Sequence, residues 1–182
     1  MVGAEQAPEG YISEDFYGLF GGDDLGEKPQ VNPEQCATLA FDASTFIAWG
    51  AVPQDQAKVV MYTKEDNSTL IIRVSKEPVN VTVDGCENFS RTGTSEIIKS
   101  ETTFSAKPLK LPVENADSVV SAEQIVVGVS MDGQPIDNGK VGEKKTMIFA
   151  EVAGKTVTAV GTGNTTADEV VQLANKQIEL LK

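Results

Sequence analysis

Apolar positions along the chain change period several times, and each change marks an element. From Cys36 to Ile47 the residues Cys36, Leu39, Ala40, Ala43 and Ile47 recur at steps of three and four, the period of one helix face. Asn32 is a suitable cap for this helix. Pro33 fits its first position, where proline forfeits no hydrogen bond. Trp49-Gly50 followed by Pro53 ends it.

From Ala57 the pattern becomes that of strands. Lys58 to Thr63 and Thr69 to Ser75 are rich in Val, Ile and Thr, and Glu65-Asp66-Asn67 between them has turn chemistry, which predicts a hairpin. After Pro78, the alternation of Val79, Val81 and Val83 with Asn80 and Thr82 predicts a third strand, closed by Asp84-Gly85 just before Cys86. Phe89 to Leu111 alternates weakly, with a long edge strand expected over Ile97 to Phe104. A further strand is expected at Ile125 to Met131, followed by a loop carrying Asp132-Gly133 and Asp137-Asn138-Gly139. Thr146 to Val152 and Lys155 to Val160 form a hairpin turning at Ala153-Gly154. Thr166 and Glu169 have capping-box spacing at the start of a closing helix, whose apolar stripe is Val170, Val171, Leu173, Ala174, Ile178 and Leu181. Helices before and after a run of strands predict an α+β fold, a mostly antiparallel sheet with an N-terminal and a C-terminal helix packed on it.

Residues 1–30 stand apart. They combine prolines, glycines and seven acids with no apolar period, and this predicts an acidic, largely flexible arm preceding a single domain over residues 31–182. The exception is Tyr11 to Phe20, where aromatic and aliphatic residues cluster either to pack on the domain or to hook a partner.

Charge narrows the function classes. Fifteen basic against 27 acidic residues give a net charge of −12, so phosphate backbones and anionic surfaces are repelled and nucleic acid is not an expected partner. The densest basic stretch, Lys140 to Lys145, is diluted by Glu143. The start Met1-Val2-Gly3-Ala4 has no basic stretch followed by an apolar one, and is expected to follow a leader already removed.

The absence of histidine removes Ser-His-Asp and Cys-His catalysis, His-ligated zinc and the usual base near neutral pH. Two cysteines cannot build a four-cysteine zinc site. They are simplest as one disulfide, Cys36 to Cys86, worth about 4 kcal/mol on the chain-entropy model; the alternative is a pair of buried free thiols. Val157 to Ala167, with Gly161 and Gly163 between a strand and a helix start, has part of an anion-cradling pattern but lacks the third glycine and any following βαβ unit, and reads as a simple turn. Asp132 to Glu143 holds acids and glycines but misses calcium-loop spacing, and reads as a solvated acidic loop. Glu114 and Asp117 are near enough in sequence to propose paired carboxylates for hydrolysis, a pattern of little specificity in so acidic a chain. Asn67, Asn80, Asn88 and Asn164 open glycosylation sequons that matter only in a eukaryotic secretory route. No cofactor, metal or enzymatic activity is expected.

Pro33-Glu34-Gln35-Cys36, a proline just before a helix-borne cysteine, is followed by strands, a second cysteine, late hairpins and a closing helix. This layout resembles actinobacterial (mycobacterial or corynebacterial) envelope lipoproteins and the extracellular PknH-type sensor domains of mycobacterial receptor kinases, over residues 31–182. The resemblance implies an exported domain tethered through a lipidated N-terminal segment, with a concave sheet face for a small or lipidic ligand. Those sensor domains carry two disulfides where one can form here, so their cleft residues are not carried over. The expected function is therefore a non-enzymatic, sensor-like envelope domain that binds a small or lipidic ligand or an envelope partner, in a cleft between sheet and helices lined by residues such as Phe104 or Trp49. An accessory protein docking on an envelope enzyme or transporter is the alternative, and a paired-carboxylate hydrolase a more distant one.

Overall fold

A computed structural model describes residues 1–21, 29–94 and 99–182. Its elements in chain order are β1 (Ile12–Glu14), α1 (Phe16–Phe20), β2 (Gln30–Asn32), a 3-10 turn (Glu34–Leu39), α2 (Ala43–Gly50), β3 (Ala57–Thr63), β4 (Thr69–Ser75), β5 (Phe89–Thr94), β6 (Lys99–Pro108), β7 (Ser118–Met131), β8 (Gln134–Pro135), β9 (Lys144–Val152), β10 (Lys155–Thr162) and α3 (Ala167–Glu179). The strands form one antiparallel sheet in the order β1-β3-β4-β10-β9-β7-β6-β5-β2, with β8 folded back on β7. The fold is α+β.

The central strands β3, β4, β10 and β9 are apolar on both faces, which is why they read as nearly unbroken runs such as Leu70-Ile71-Ile72 and Met147-Ile148-Phe149-Ala150. One face carries Tyr62, Leu70, Ile72, Ile148, Ala150, Val157 and Ala159 and packs against Val170, Leu173, Ala174 and Ile178 of α3. The opposite face carries Val59, Met61, Ile71, Val160, Met147 and Phe149, and beyond them Phe104 and Phe89. It is covered by Phe16, Leu39, Phe41 and the Cys36–Cys86 pair, with Phe20, Phe46 and Trp49 packed alongside. The β9–β10 hairpin turns on Ala153 and Gly154 at φ 49° and 72°, the paired left-handed conformation that suits strand twist. In α3, Thr166 accepts from the Glu169 amide and Glu169 reaches back to the Thr166 amide, so the capping box forms in full.

Four elements depart from expectation. The first helix is not continuous from Pro33 to Gly50. It is a 3-10 turn and then α2, separated at Ala40–Asp42, because Asp42 starts a new capping box with Thr45 instead of continuing the turn. Asn32 lies in β2 and caps nothing, and Ala43, expected on the apolar stripe, is exposed. The predicted strand Val79–Val83 is irregular: β4 already pairs β3 on one side and β10 on the other, so no edge is open to it. It crosses the sheet face instead, placing Val83 in the core and Val81 against it. The strand containing Phe104 is internal, between β5 and β7, and Ile97 lies outside the described residues. β7 begins at Ser118, well before the expected Ile125.

Residues 1–21, expected as the larger part of an acidic arm, rest on the domain. Val2, Tyr11 and Phe16 are buried, and β1 pairs with β3. The Val2 amide donates to Gln177 Oε1 at 3.0 Å, the Tyr62 hydroxyl to the Gly3 carbonyl at 3.1 Å, and Lys176 Nζ to the Gln6 carbonyl at 3.2 Å. The Tyr11 ring lies 4.1 Å from Lys64 Nζ, which is ion-paired with Glu169 of the α3 cap.

Cys36 and Cys86 are bonded across 50 residues with Cα atoms 5.7 Å apart, tying the 3-10 turn to the end of the segment that crosses the sheet face. Replacing both by alanine is expected to lower stability by about 4 kcal/mol in urea denaturation, from the loop closed in the unfolded chain. Burial, then the nearby Glu5 carboxylate, pushes the Tyr62 hydroxyl up to about 12. A phenol whose folded value exceeds its unfolded value of about 10 contributes stability that is whole below pH 10 and lost as pH rises through the folded value. Absorbance titration at 295 nm should show a tyrosine step near pH 12 that is missing in Tyr62→Phe.

Candidate functional site

Cross-strand register places a polar line on the sheet face that α2 covers. Thr63 of β3 stands opposite Thr69 of β4, Thr69 opposite Thr162 of β10, Thr162 opposite Lys145 of β9, and Lys145 opposite Gln124 of β7. One pleat inward the corresponding row is wholly apolar: Met61, Ile71, Val160, Met147 and Ala122. The face thus switches from oily to polar along a single line across five strands.

Over this line lies a cleft of about 520 Å³, within the range of about 300–1,000 Å³ common for small-molecule sites. Its apolar side is Phe41, Phe46, Met61, Phe104 and Val126, and its hydroxyl groups come from Ser44, Thr63, Thr69, Ser100, Thr102 and Thr162. The start of α2, with Asp42 and Ala43, forms one wall, and the loop carrying Asn138, Lys140 and Glu143 forms another.

The wall at α2 is held by one guanidinium. Arg91 Nη1 donates to the Ala40 carbonyl at 2.8 Å, to Asp42 Oδ1 at 2.7 Å and to Thr45 Oγ1 at 3.2 Å. Asp42 Oδ1 also accepts from the Ser44 amide and hydroxyl at 2.9 and 2.5 Å. Burial lowers the pKa of Arg91 from its ordinary value and Asp42 opposes the shift, the balance expected of a mostly desolvated ion pair.

At the other end Lys145 is 5% exposed and its Nζ lies 3.0 Å from Glu143 Oε1. A buried ammonium needs such a partner, since an unpaired charge out of water is costly. Its neighbour Gln124 is fully buried; Nε2 donates to the Phe41 carbonyl at 3.3 Å while Oε1 has no partner among the described residues. At the β1 end, Thr63 Oγ1 donates to Glu14 Oε1 at 2.8 Å.

Phe104 lines the cleft and Trp49 does not. Trp49 packs edge-on against Phe41, with the Arg73 guanidinium carbon 5.4 Å from its ring centroid. Cys36 and Cys86 sit in the core behind the cleft. Glu114 and Asp117 are elsewhere: the Glu114 amide donates to Asn175, Asp117 accepts from the Ala153 amide at 3.0 Å, and neither lines the cleft. In the acidic loop Asp132 Oδ1 accepts from the Lys99 amide and Asp137 Oδ1 from the Gly139 amide, and no cluster of metal-ligating side chains forms among the described residues. Gly161 serves close packing: a Cβ there would come within 2.5 Å of Thr165 and Val170 at the start of α3. Lys145, Gln124 and the threonine line escape sequence reasoning because their partners are far apart along the chain. The usable signal was the basic stretch Lys140 to Lys145.

No protein-family model matches the chain, and no curated protein does. Among solved structures, an uncharacterized Mycobacterium smegmatis protein, the Rv0999 ortholog, is similar with a TM-score of 0.47 and 13% identity, over 94% of this chain and 85% of that one.

Arg91→Met is expected to cost about 3 kcal/mol in urea denaturation, because it leaves the Asp42 carboxylate without its counter-charge and takes a charged donor from the Ala40 carbonyl. Asp42→Asn, which keeps a capping side chain, should cost less than Asp42→Ala.

Proposed function

We propose that the chain is an exported, non-catalytic domain that binds a small amphipathic ligand in the cleft between the sheet and α2. One observation carries the reading: a cleft of about 520 Å³ in which an aromatic side faces a cross-strand line of hydroxyl and ammonium groups. An apolar wall supplies burial energy and a few placed polar groups supply orientation, the usual division in small-molecule sites. The disulfide fits an oxidising, extracytoplasmic compartment. No helix among the described residues is long and apolar enough to cross a membrane. A sensor-like role at the envelope is the biological form of this reading.

The neutral fluorescent probe N-phenyl-1-naphthylamine should bind saturably with about one site per chain. Ala43→Trp places an indole at the mouth of the cleft from an exposed position. It should weaken binding at least tenfold while the melting temperature holds. Binding that is absent, or indifferent to this substitution, would sink the proposal.

A further inference from the structure

We infer that the cleft selects amphiphiles with an anionic head group, seated at Lys145 and Lys140 with the apolar part against Phe46 and Phe104. This rests on the cleft reading above and adds the ligand's charge and direction.

The two ends of the polar line differ in sign. At the β1 end the acceptor is Glu14, which already holds the Thr63 hydroxyl. At the β9 end stand Lys145 and Lys140, with Glu143 the carboxylate beside them. Asp42, the remaining acid of the lining, is neutralised by Arg91 at 2.7 Å. The β9 end is therefore cationic by one charge, on a protein whose net charge is −12. A lysine 5% exposed interacts with a ligand charge through protein more than through water, so its attraction outweighs the screened repulsion of distant surface acids. An ammonium has three donors. Glu143 Oε1 accounts for one, at 3.0 Å, which leaves capacity for an anionic oxygen from the cleft. Beside it across the strands is the Thr162 hydroxyl, a second donor in line. Lys140, on the exposed loop wall, adds a charge whose side chain has no structural bond among the described residues. Carboxylates and phosphate monoesters share the chemistry this end recognises.

The test uses the intact chain loaded with N-phenyl-1-naphthylamine and displaces it below micelle concentrations with four twelve-carbon competitors: dodecanoate, dodecyl phosphate, dodecanol and dodecylammonium. At least one anion should displace the probe at a tenfold lower concentration than the alcohol, with the ammonium weakest; the stronger anion identifies the head group. Lys140→Gln should weaken the anions at least threefold and leave the alcohol unchanged. Glu143→Gln with Lys145→Met should erase the preference. If that pair fails to fold, the Lys140 variant and the competitor order decide alone. Equal displacement by anions and alcohol, or loss of both alike in Lys140→Gln, overturns the head-group assignment while the cleft reading stands. A chain that never binds the neutral probe overturns both.

Discussion

Much of this fold follows from a sheet whose central strands are apolar on both faces over most of their length. β3, β4, β10 and β9 carry apolar side chains on both sides, and each side must be covered. The covers differ in kind. α3 is one continuous amphipathic helix that meets its face with a single stripe. The other cover is assembled from short pieces: α1, the 3-10 turn, α2 and the irregular segment through Val83, none long enough to be stable alone.

A piecemeal cover needs fastening, and two polar or covalent devices supply it. The Cys36–Cys86 bond joins two of the pieces over the sheet, and Arg91 grips Ala40, Asp42 and Thr45 where the 3-10 turn gives way to α2. Together they fix where the cover ends. Beyond that limit the sheet face changes from the Met61–Met147 row to the threonine and lysine row, so the uncovered strip is already polar. The cleft is the region between a cover that stops and a face that no longer needs covering. Its aromatic side is the core's own margin, as Phe41 and Phe104 belong both to the hydrophobic cluster and to the lining.

The acidic surface gives the cationic end its meaning. On a neutral protein a lysine beside a glutamate would be one ion pair among many, worth little when exposed. Here the lysine is buried, the glutamate is half-exposed, and a second lysine stands over the opening. On the proposed reading, an anion entering the cleft would leave a repulsive exterior for a short-range attractive interior, which would favour selectivity over affinity for surfaces.

Local patterning was enough for the elements whose partners lie nearby in the chain. The β3–β4 and β9–β10 hairpins, their turns, the capping box at Thr166 and the stripe of α3 all follow from residues within one or two turns of each other, and so does the α+β class. Two cysteines allow a single connection, so the sequence named the partners, while the bond itself rather than two buried thiols is seen in the structure. What escaped was decided at long range. Helical period ran straight through Ala40–Asp42 because Arg91, some fifty residues on, is what holds that junction open. Valine alternation at Val79–Val83 predicted a strand, yet strand formation depends on a free edge, and β4 had none. Phe104 reached the cleft as expected because its strand alternates, whereas Trp49 turned inward toward Phe41 and Arg73. The polar line Thr63–Thr69–Thr162–Lys145–Gln124 joins residues from five strands in a register that only the assembled sheet specifies, because a slip of one residue would turn each side chain to the opposite face.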